Sequence, residues 1–452
     1  MNGTIRRRIL LVALLGTVPL WGSPEQPKAR ALPETPGLDL SWWRGFKDPQ
    51  LDALLVEAMG KNPDVRTAAA RLGMAEAGLG VTRAGHRPSL ELDVGAGVRK
   101  YSPTAKYQDP DINRPGLELT AGYLVDLWGR FAQGEQAGVA DWQASAEDVT
   151  SARLALSAEV AGTWFALRAN RSLLEILGNR LGRAHELLAL LQARKGAGLA
   201  AGDEVLSQTG FISQLELERS VLLAVRARLD HRLAALCGLS ATEAESRTAH
   251  PLGTLESVAL PQNLGTGLLA QRPDVRAAAL RLRAQQARVG IAQAGTLPSL
   301  TLLSKGFFTG DALRELLRGG SIEGFLAAQV NLPLLDGGRS RTQLESARAN
   351  LALVGEQYTA VVVRVFEESA DALSEAETAQ ARLGAANLLV DSCTQSLTLV
   401  EQRQAAGLID RLVTLREQDH RSIAQQDAVR AQLDFLKAQI DMALVFAIGA
   451  PP

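Results

Sequence analysis

The sequence is short of the residues on which most protein chemistry depends. Only two cysteines and five histidines occur among 452 residues. Cys237 and Cys393 stand alone with no CxxC, so neither a metal framework nor a redox motif is available. Two small buried thiols, or a disulfide between them, remain the two readings. His86, His185, His231, His250 and His420 are scattered, and His185-Glu186 lacks a second His four residues on, so no metal ligands gather. GxxxxGK[ST], HExxH and GxSxG are absent, and Gly337-Gly338 follows a strand-like segment without the GxGxxG of a nucleotide fold. No catalytic residue and no cofactor is therefore expected, and an exported enzyme is the weakest of the candidate functions. A net charge of −1 with no basic or acidic tail gives no reason to expect nucleic acid. No stretch beyond the N-terminus approaches the apolar length of a membrane-crossing helix.

What is present is helix-forming and repeated. Aromatics are 4% of the chain, and Ala, Leu, Arg, Glu and Gln fill many positions. The N-terminus places Arg6, Arg7 and Arg8 before an apolar run from Ile9 to Leu20 and small residues Gly22 and Ser23, the layout of a signal peptide over 1–23. A Pro-rich extended segment, 24–50, follows.

The remainder is written twice. Residues 63–92 return 210 positions later as 273–302, with 16 of 30 positions identical. Gly129-Arg130 and Gly198-Leu199 return as Gly338-Arg339 and Gly407-Leu408 at an offset of 209. A unit this long is not a solenoid repeat. It predicts two large homologous halves, 51–238 and 266–449, joined by a segment at 239–265.

Each half has one plan. Pro63 and Asp64 suit the start of a helix that runs to about Gly85. Alternation then changes to a period of two, with Leu90, Leu92, Val94, Ala96 and Val98 on one face and Glu91, Asp93 and Arg99 on the other. The spacing predicts strands near 89–100, 116–127, 299–309 and 322–334, with a polar loop at 102–115. Val160, Leu167, Leu174, Leu181 and Leu188 are seven apart, as are Leu344, Leu351, Tyr358 and Val365. These heptads predict helices from Gly129 to about Lys195 and from Gly338 to about Gln404, each on the order of 100 Å long. Turns at Gly196–Leu199 and Ala405–Leu408 should lead into returning helices at 203–238 and 410–448. The fold class is mainly α with a small β part, each repeat being helix, β-hairpin, long helix, helix.

Two readings fit four amphipathic strands: a sheet against a soluble core, or part of an outer-membrane barrel. Four strands cannot close a barrel, and lipid does not tolerate an open edge, so a membrane reading requires several copies to share one barrel. Otherwise the chain is an exported coiled-coil scaffold or adaptor that never enters lipid.

Several motifs favour the membrane reading: Trp42-Trp43 with Phe46, Asp48-Pro49 and Leu51; Asp126-Leu127-Trp128-Gly129-Arg130; Arg272 to Arg276; Pro298-Ser299-Leu300; and Leu335-Asp336-Gly337-Gly338-Arg339. In this order they resemble the TolC/OprM-type outer-membrane efflux channels, in the branch serving drug-exporting tripartite pumps. That resemblance implies a homotrimer with a twelve-stranded barrel in outer-membrane lipid of a Gram-negative bacterium. It also implies a periplasmic helical tunnel, partnered by a periplasmic adaptor and an inner-membrane RND-type transporter. The adaptor would meet the tips at Gly198, Leu199, Gly407 and Leu408, and an iris would close near Leu412, Leu415, Arg416 and Asp419. Arg416 and Asp419 stand where relatives often carry the opposite signs, and could form ion pairs within or between protomers. Many members of the branch carry a lipid-bearing Cys after the signal peptide; Ser23 stands there instead.

Overall fold

Asn62 opens the first repeat with a side-chain cap, its Oδ1 accepting from the N–H groups of Asp64 and Val65 at 2.8 and 3.3 Å. Pro63 occupies the first helical turn, where its missing N–H is not needed. The computed structural model describes residues 41–99, 112–240, 242–243, 270–309 and 322–446. The expected export segment, the leader to residue 40, most of the 239–265 connection and the hairpin tips at 100–111 and 310–321 lie outside the described residues.

After a 3-10 turn at Trp42–Phe46, the first half comprises α1 (Pro49–Lys61), α2 (Pro63–Ala84), β1 (Ser89–Arg99), β2 (Ile112–Val125), α3 (Arg130–Gly196) and α4 (Gly202–Cys237). The second comprises α5 (Pro273–Ala294), β3 (Ser299–Thr309), β4 (Ile322–Asn331), α6 (Arg339–Ala405) and α7 (Arg411–Phe446). Matched helices have equal lengths: 22 residues for α2 and α5, 67 for α3 and α6, 36 for α4 and α7. No helix among the described residues is long and apolar enough to cross a membrane.

Three strand limits differ from the sequence reading, one being the end of β2, which comes at Val125 rather than near 127. Residues 112–115, expected in a loop, belong to β2, where Pro115 pairs with Ala96 of β1. Among the described residues, pairing with β3 starts at Gly116, opposite Thr309. The fourth strand stops at Asn331 rather than near 334, because Pro333 ends the extended run. The two hairpins are not separate. β2 pairs antiparallel with β3, giving one sheet in the order β1-β2-β3-β4, with β1 and β4 as edges.

The principal core sits where the 3-10 turn and α1 meet α3, α4 and α7. Trp42, Phe46, Leu51, Leu55, Val160, Trp164, Phe165, Leu167 and Leu233 are buried there. Asp48 organises it. One carboxylate oxygen caps α1 through the N–H groups of Gln50 and Leu51; the other accepts from the Trp164 indole at 3.0 Å and the Arg168 guanidinium at 2.7 Å. Neither cysteine is in a disulfide: Cys237 is buried and Cys393 is half-buried.

On the heptad positions of α3, Val160, Leu167 and Leu181 are buried and Leu174 and Leu188 half-buried, while Leu177, Ala184 and Leu191, three residues beyond Leu174, Leu181 and Leu188, are buried as well. Its counterpart differs. α3 buries 24 residues and α6 only 6, although the two have equal length. The cause is the neighbours. α3 packs against α1, α2 and α4 of its own half and α5 and α7 of the other, whereas among the described residues α6 packs chiefly against α5 and α7. Val363, Phe366, Leu388 and Leu399 on α6 are consequently exposed.

Candidate functional site

The antiparallel register sorts the sheet into two faces. Leu90, Ala121 and Ser304 with Leu326 form one cross-strand row; Tyr123, Leu302 and Ala328 form another, and Val125, Leu300 and Val330 a third. With Leu92 and Leu119, these make a continuous apolar face. Leu90, Leu92, Val94, Leu326 and Val330 are between 59% and 82% exposed, so nothing among the described residues covers it. The opposite face carries Glu91, Asp93, Glu118, Thr120, Lys305 and Gln329. There the Lys305 ammonium bonds the Glu118 carboxylate across β2 and β3. A sheet this short, open at both edges, cannot be stable in lipid alone.

The far end of the long helices is set by glycine. Gly198 and Gly407 adopt φ of 70° and 72°, a left-handed conformation that L side chains rarely take. In each turn the leucine N–H reaches back to the helix, Leu199 to the Arg194 carbonyl at 2.8 Å and Leu408 to the Arg403 carbonyl at 2.9 Å. The glycine N–H groups bond the carbonyls of Lys195 and Gln404. This is the Schellman arrangement, in which the residue after the cap usually packs back on the helix. Here Leu199 and Leu408 point out, 78% and 73% exposed. Backbone conformation supplies a reason for glycine at both tips.

Behind the tips, α7 is fastened to α3. Leu412 and Leu415 are buried against Leu187 and Leu191 of α3. Asp419 does not pair with Arg416. It takes a two-point bond from Arg180, with Nε to Oδ1 at 2.8 Å and Nη2 to Oδ2 at 3.2 Å. Arg180 is 6% exposed and also donates to Gln426 at 3.0 Å. Arg183 bonds Ser422, Arg411 bonds Glu186, and Arg194 bonds Asp410. Burial lowers the pKa of Arg183 most, Asp419 opposes that, and the charges of Arg180 and Arg421 add to it. Arg416 is exposed and borders a cavity of about 260 Å³ with Arg180, Arg183, Asp419 and His420. The partner Arg180 lies 239 residues from Asp419, beyond any local pattern.

A second cavity, of about 730 Å³, lies between α3, α5, α6 and α7. Arg272 bonds Asp274 and Glu368 at its edge, each at 2.8 Å, and Glu375 and Asp441 also line it. Among the described residues no cluster of His, Cys, Asp and Glu could hold a metal ion.

A half-amphipathic sheet joined to paired long helices defines a class: channel proteins of the bacterial outer membrane. The sequence profile of the outer membrane efflux protein family matches residues 54–242 and 264–450, and the chain belongs to that family. It is similar to the solvent efflux pump outer membrane protein SrpC of Pseudomonas putida, 27% identical over 88% of this chain and 85% of that protein. It is 26% identical to the pyoverdine export outer membrane protein OpmQ of Pseudomonas aeruginosa, over 97% of this chain and 94% of that one. The crystal structure of the outer membrane protein VceC from Vibrio cholerae superposes with a TM-score of 0.80 at 26% identity, covering 92% of this chain and all of that one. The outer-membrane channel OprN gives 0.83 at 25%, over 94% and 96%. The protein is thus an outer-membrane efflux component of a Gram-negative bacterium rather than a soluble scaffold.

Proposed function

We propose that this chain forms a trimeric passive exit duct for a tripartite efflux pump, with its strands pooled in one twelve-stranded barrel and its helices in a periplasmic tunnel. The observation that carries the assembly is the unequal burial of α3 and α6. Within the chain, α3 receives α5 and α7 from the other half, and β2 receives β3. Repeating that relation between copies would give α6 the α2 and α4 of the next chain, and β4 the next β1, covering the exposed side and both open edges together. A head-to-tail contact of this kind closes into a ring. The helix glycines agree. A side chain at Gly290 of α5 would meet Gln133 of α3 at 3.0 Å, whereas its counterpart Gly80 on α2 has nothing within 4 Å. Three as the number of copies comes from the family resemblance.

In this assembly the apolar sheet face meets lipid and the polar face lines the pore. Leu199 and Leu408, with their glycines, contact a periplasmic adaptor bound to an inner-membrane RND-type transporter. The iris comprises Leu412, Leu415, Arg416 and Asp419, closed while Arg180 holds α7 against α3. No residue has a catalytic part, and transport energy comes from the inner-membrane partner. Relatives are named for solvents and for pyoverdine, so a small molecule is the cargo class.

Light scattering of detergent-solubilised protein, with conductance across a planar bilayer, tests this reading. A trimer that conducts ions is expected; a detergent-independent monomer that leaves the bilayer silent would restore the scaffold.

A further inference from the structure

Where the sheet meets the long helices, the apolar face does not end with the strands. Leu127 and Leu332 continue its alternation and are 51% and 48% exposed, and Leu334 and Leu335, just beyond, are 87% and 95% exposed. Trp128, half-exposed, is held at this level by its indole N–H, which donates to the Pro298 carbonyl at 2.6 Å. Trp128, Arg130, Pro298 and Pro333 border one shallow cavity of about 190 Å³. The junction is therefore an apolar rim continuous with the lipid-facing surface.

Three arginines stand at the same level. Arg130 begins α3, Arg339 begins α6, and Arg87 precedes β1; all are exposed. Their guanidinium groups have no hydrogen-bond or ion-pair partner among the described residues. The acids beside two of them are occupied elsewhere. Asp126 accepts from the N–H groups of Phe131 and Ala132, both at 3.2 Å, and Asp336 from those of Gly338 and Ser340 at 3.0 and 2.9 Å. The Gly-Arg pair recurs in both halves, so the positive charge is repeated around any ring built from them.

Exposed leucine and tryptophan beside unpaired arginine suit a membrane interface, where apolar side chains enter the acyl boundary and cations meet phosphate. We infer that this collar binds the anionic phospholipid headgroups of the inner leaflet, through Arg87, Arg130 and Arg339, with Leu334 and Leu335 seated among the acyl chains. The inference rests on the outer-membrane reading and adds a lipid preference to it.

The test uses full-length protein in phosphatidylcholine vesicles containing traces of spin-labelled lipid. The ratio of motionally restricted phosphatidylglycerol to restricted phosphatidylcholine should exceed one, by about fivefold per arginine engaged. The triple variant Arg87→Gln, Arg130→Gln, Arg339→Gln should bring it to one while conductance persists, and free inorganic phosphate should not change the wild-type ratio. A wild-type ratio of one in a conducting protein overturns the headgroup assignment alone, as does a variant that keeps the preference or displacement by inorganic phosphate. Protein that neither conducts nor resists alkaline extraction overturns this and the duct together. Leu334→Ser with Leu335→Ser should weaken both lipids equally and leave oligomer mass in detergent unchanged. Loss of the oligomer would place those leucines between protomers and overturn their part.

Discussion

Arg180 and Asp419 are joined by two parallel N–H to carboxylate bonds, at 2.8 and 3.2 Å, across the seam between the two halves of the chain. Arg180 is almost wholly covered there, and Gln426 takes a further hydrogen bond from it. The pair thus pins the start of α7 to the middle of the distal half of α3.

Removing that pin should loosen the iris. Arg180→Ala leaves a partly buried carboxylate with less to answer it, at a cost of about 2 kcal/mol to the α3–α7 contact. Single-channel conductance is expected to rise for Arg180→Ala and for Asp419→Ala, and the double variant should add little to either, since each breaks the same bond. Conductance equal to wild type in all three would remove the pair from the gate. Arg416 is exposed within its own chain, and Arg416→Ala should raise conductance if it belongs to the proposed iris; unchanged conductance would make it a surface charge.

The tips call for a different measurement. Gly198→Ala and Gly407→Ala force a side chain into a left-handed conformation, and each should lower stability by about 1 kcal/mol. Gly196→Ala, inside the last turn of α3 with open space around it, should be neutral or slightly stabilising. Leu199→Ser with Leu408→Ser removes only exposed apolar surface. Thermal unfolding should be unchanged while efflux-dependent drug tolerance in cells falls; unchanged tolerance would move the adaptor contact elsewhere.

Two carboxyls at the larger cavity should respond to pH in opposite senses. Burial pushes the Asp274 carboxyl up, but the hydrogen bonds and charge of Arg272, the Val275 N–H and Arg364 hold it below its ordinary value. Its contribution is present above the unfolded carboxyl pKa and is lost as pH falls through the lower, folded one. Asp441 is raised, chiefly by burial, with Lys437 opposing and Glu375 adding. Its ionisation disfavours the fold, so its contribution is full in acid and lost as pH rises through the raised value. Asp441→Asn should therefore raise the unfolding temperature at pH 7 and give less gain near pH 4. Asp274→Asn should lower it at pH 7 and flatten the acid limb. Circular dichroism melts across that range would show the contrast, and parallel curves would refute it.

Helix starts and stops were readable because their causes are local. Pro63 and Asp64 mark the start of α2, and glycine at 198 and 407 marks the turns, where the backbone is left-handed. The alternation of Leu90, Leu92 and Val94 likewise marked a face before any sheet was known. What lay beyond reach depends on contacts between distant segments. Nothing near Asp419 indicates Arg180, and its proximity to Arg416 suggested the wrong intrachain partner. Nothing in the sequence around Leu412 and Leu415 marks Leu187 and Leu191 of α3 as the residues they are buried against. The pairing of β2 with β3 was likewise hidden, since strand order across a sheet leaves little trace in either strand's alternation.

Matched arm lengths impose a rule on how such a chain can change. Deleting one residue from α3 would shorten that arm by about 1.5 Å and swing every later side chain by ~100°. Its twin, still 67 residues long, would then stand proud of it and face its neighbours in the old rotation. Insertions and deletions in these arms should survive only in compensated pairs, so a gene written twice must also be edited twice.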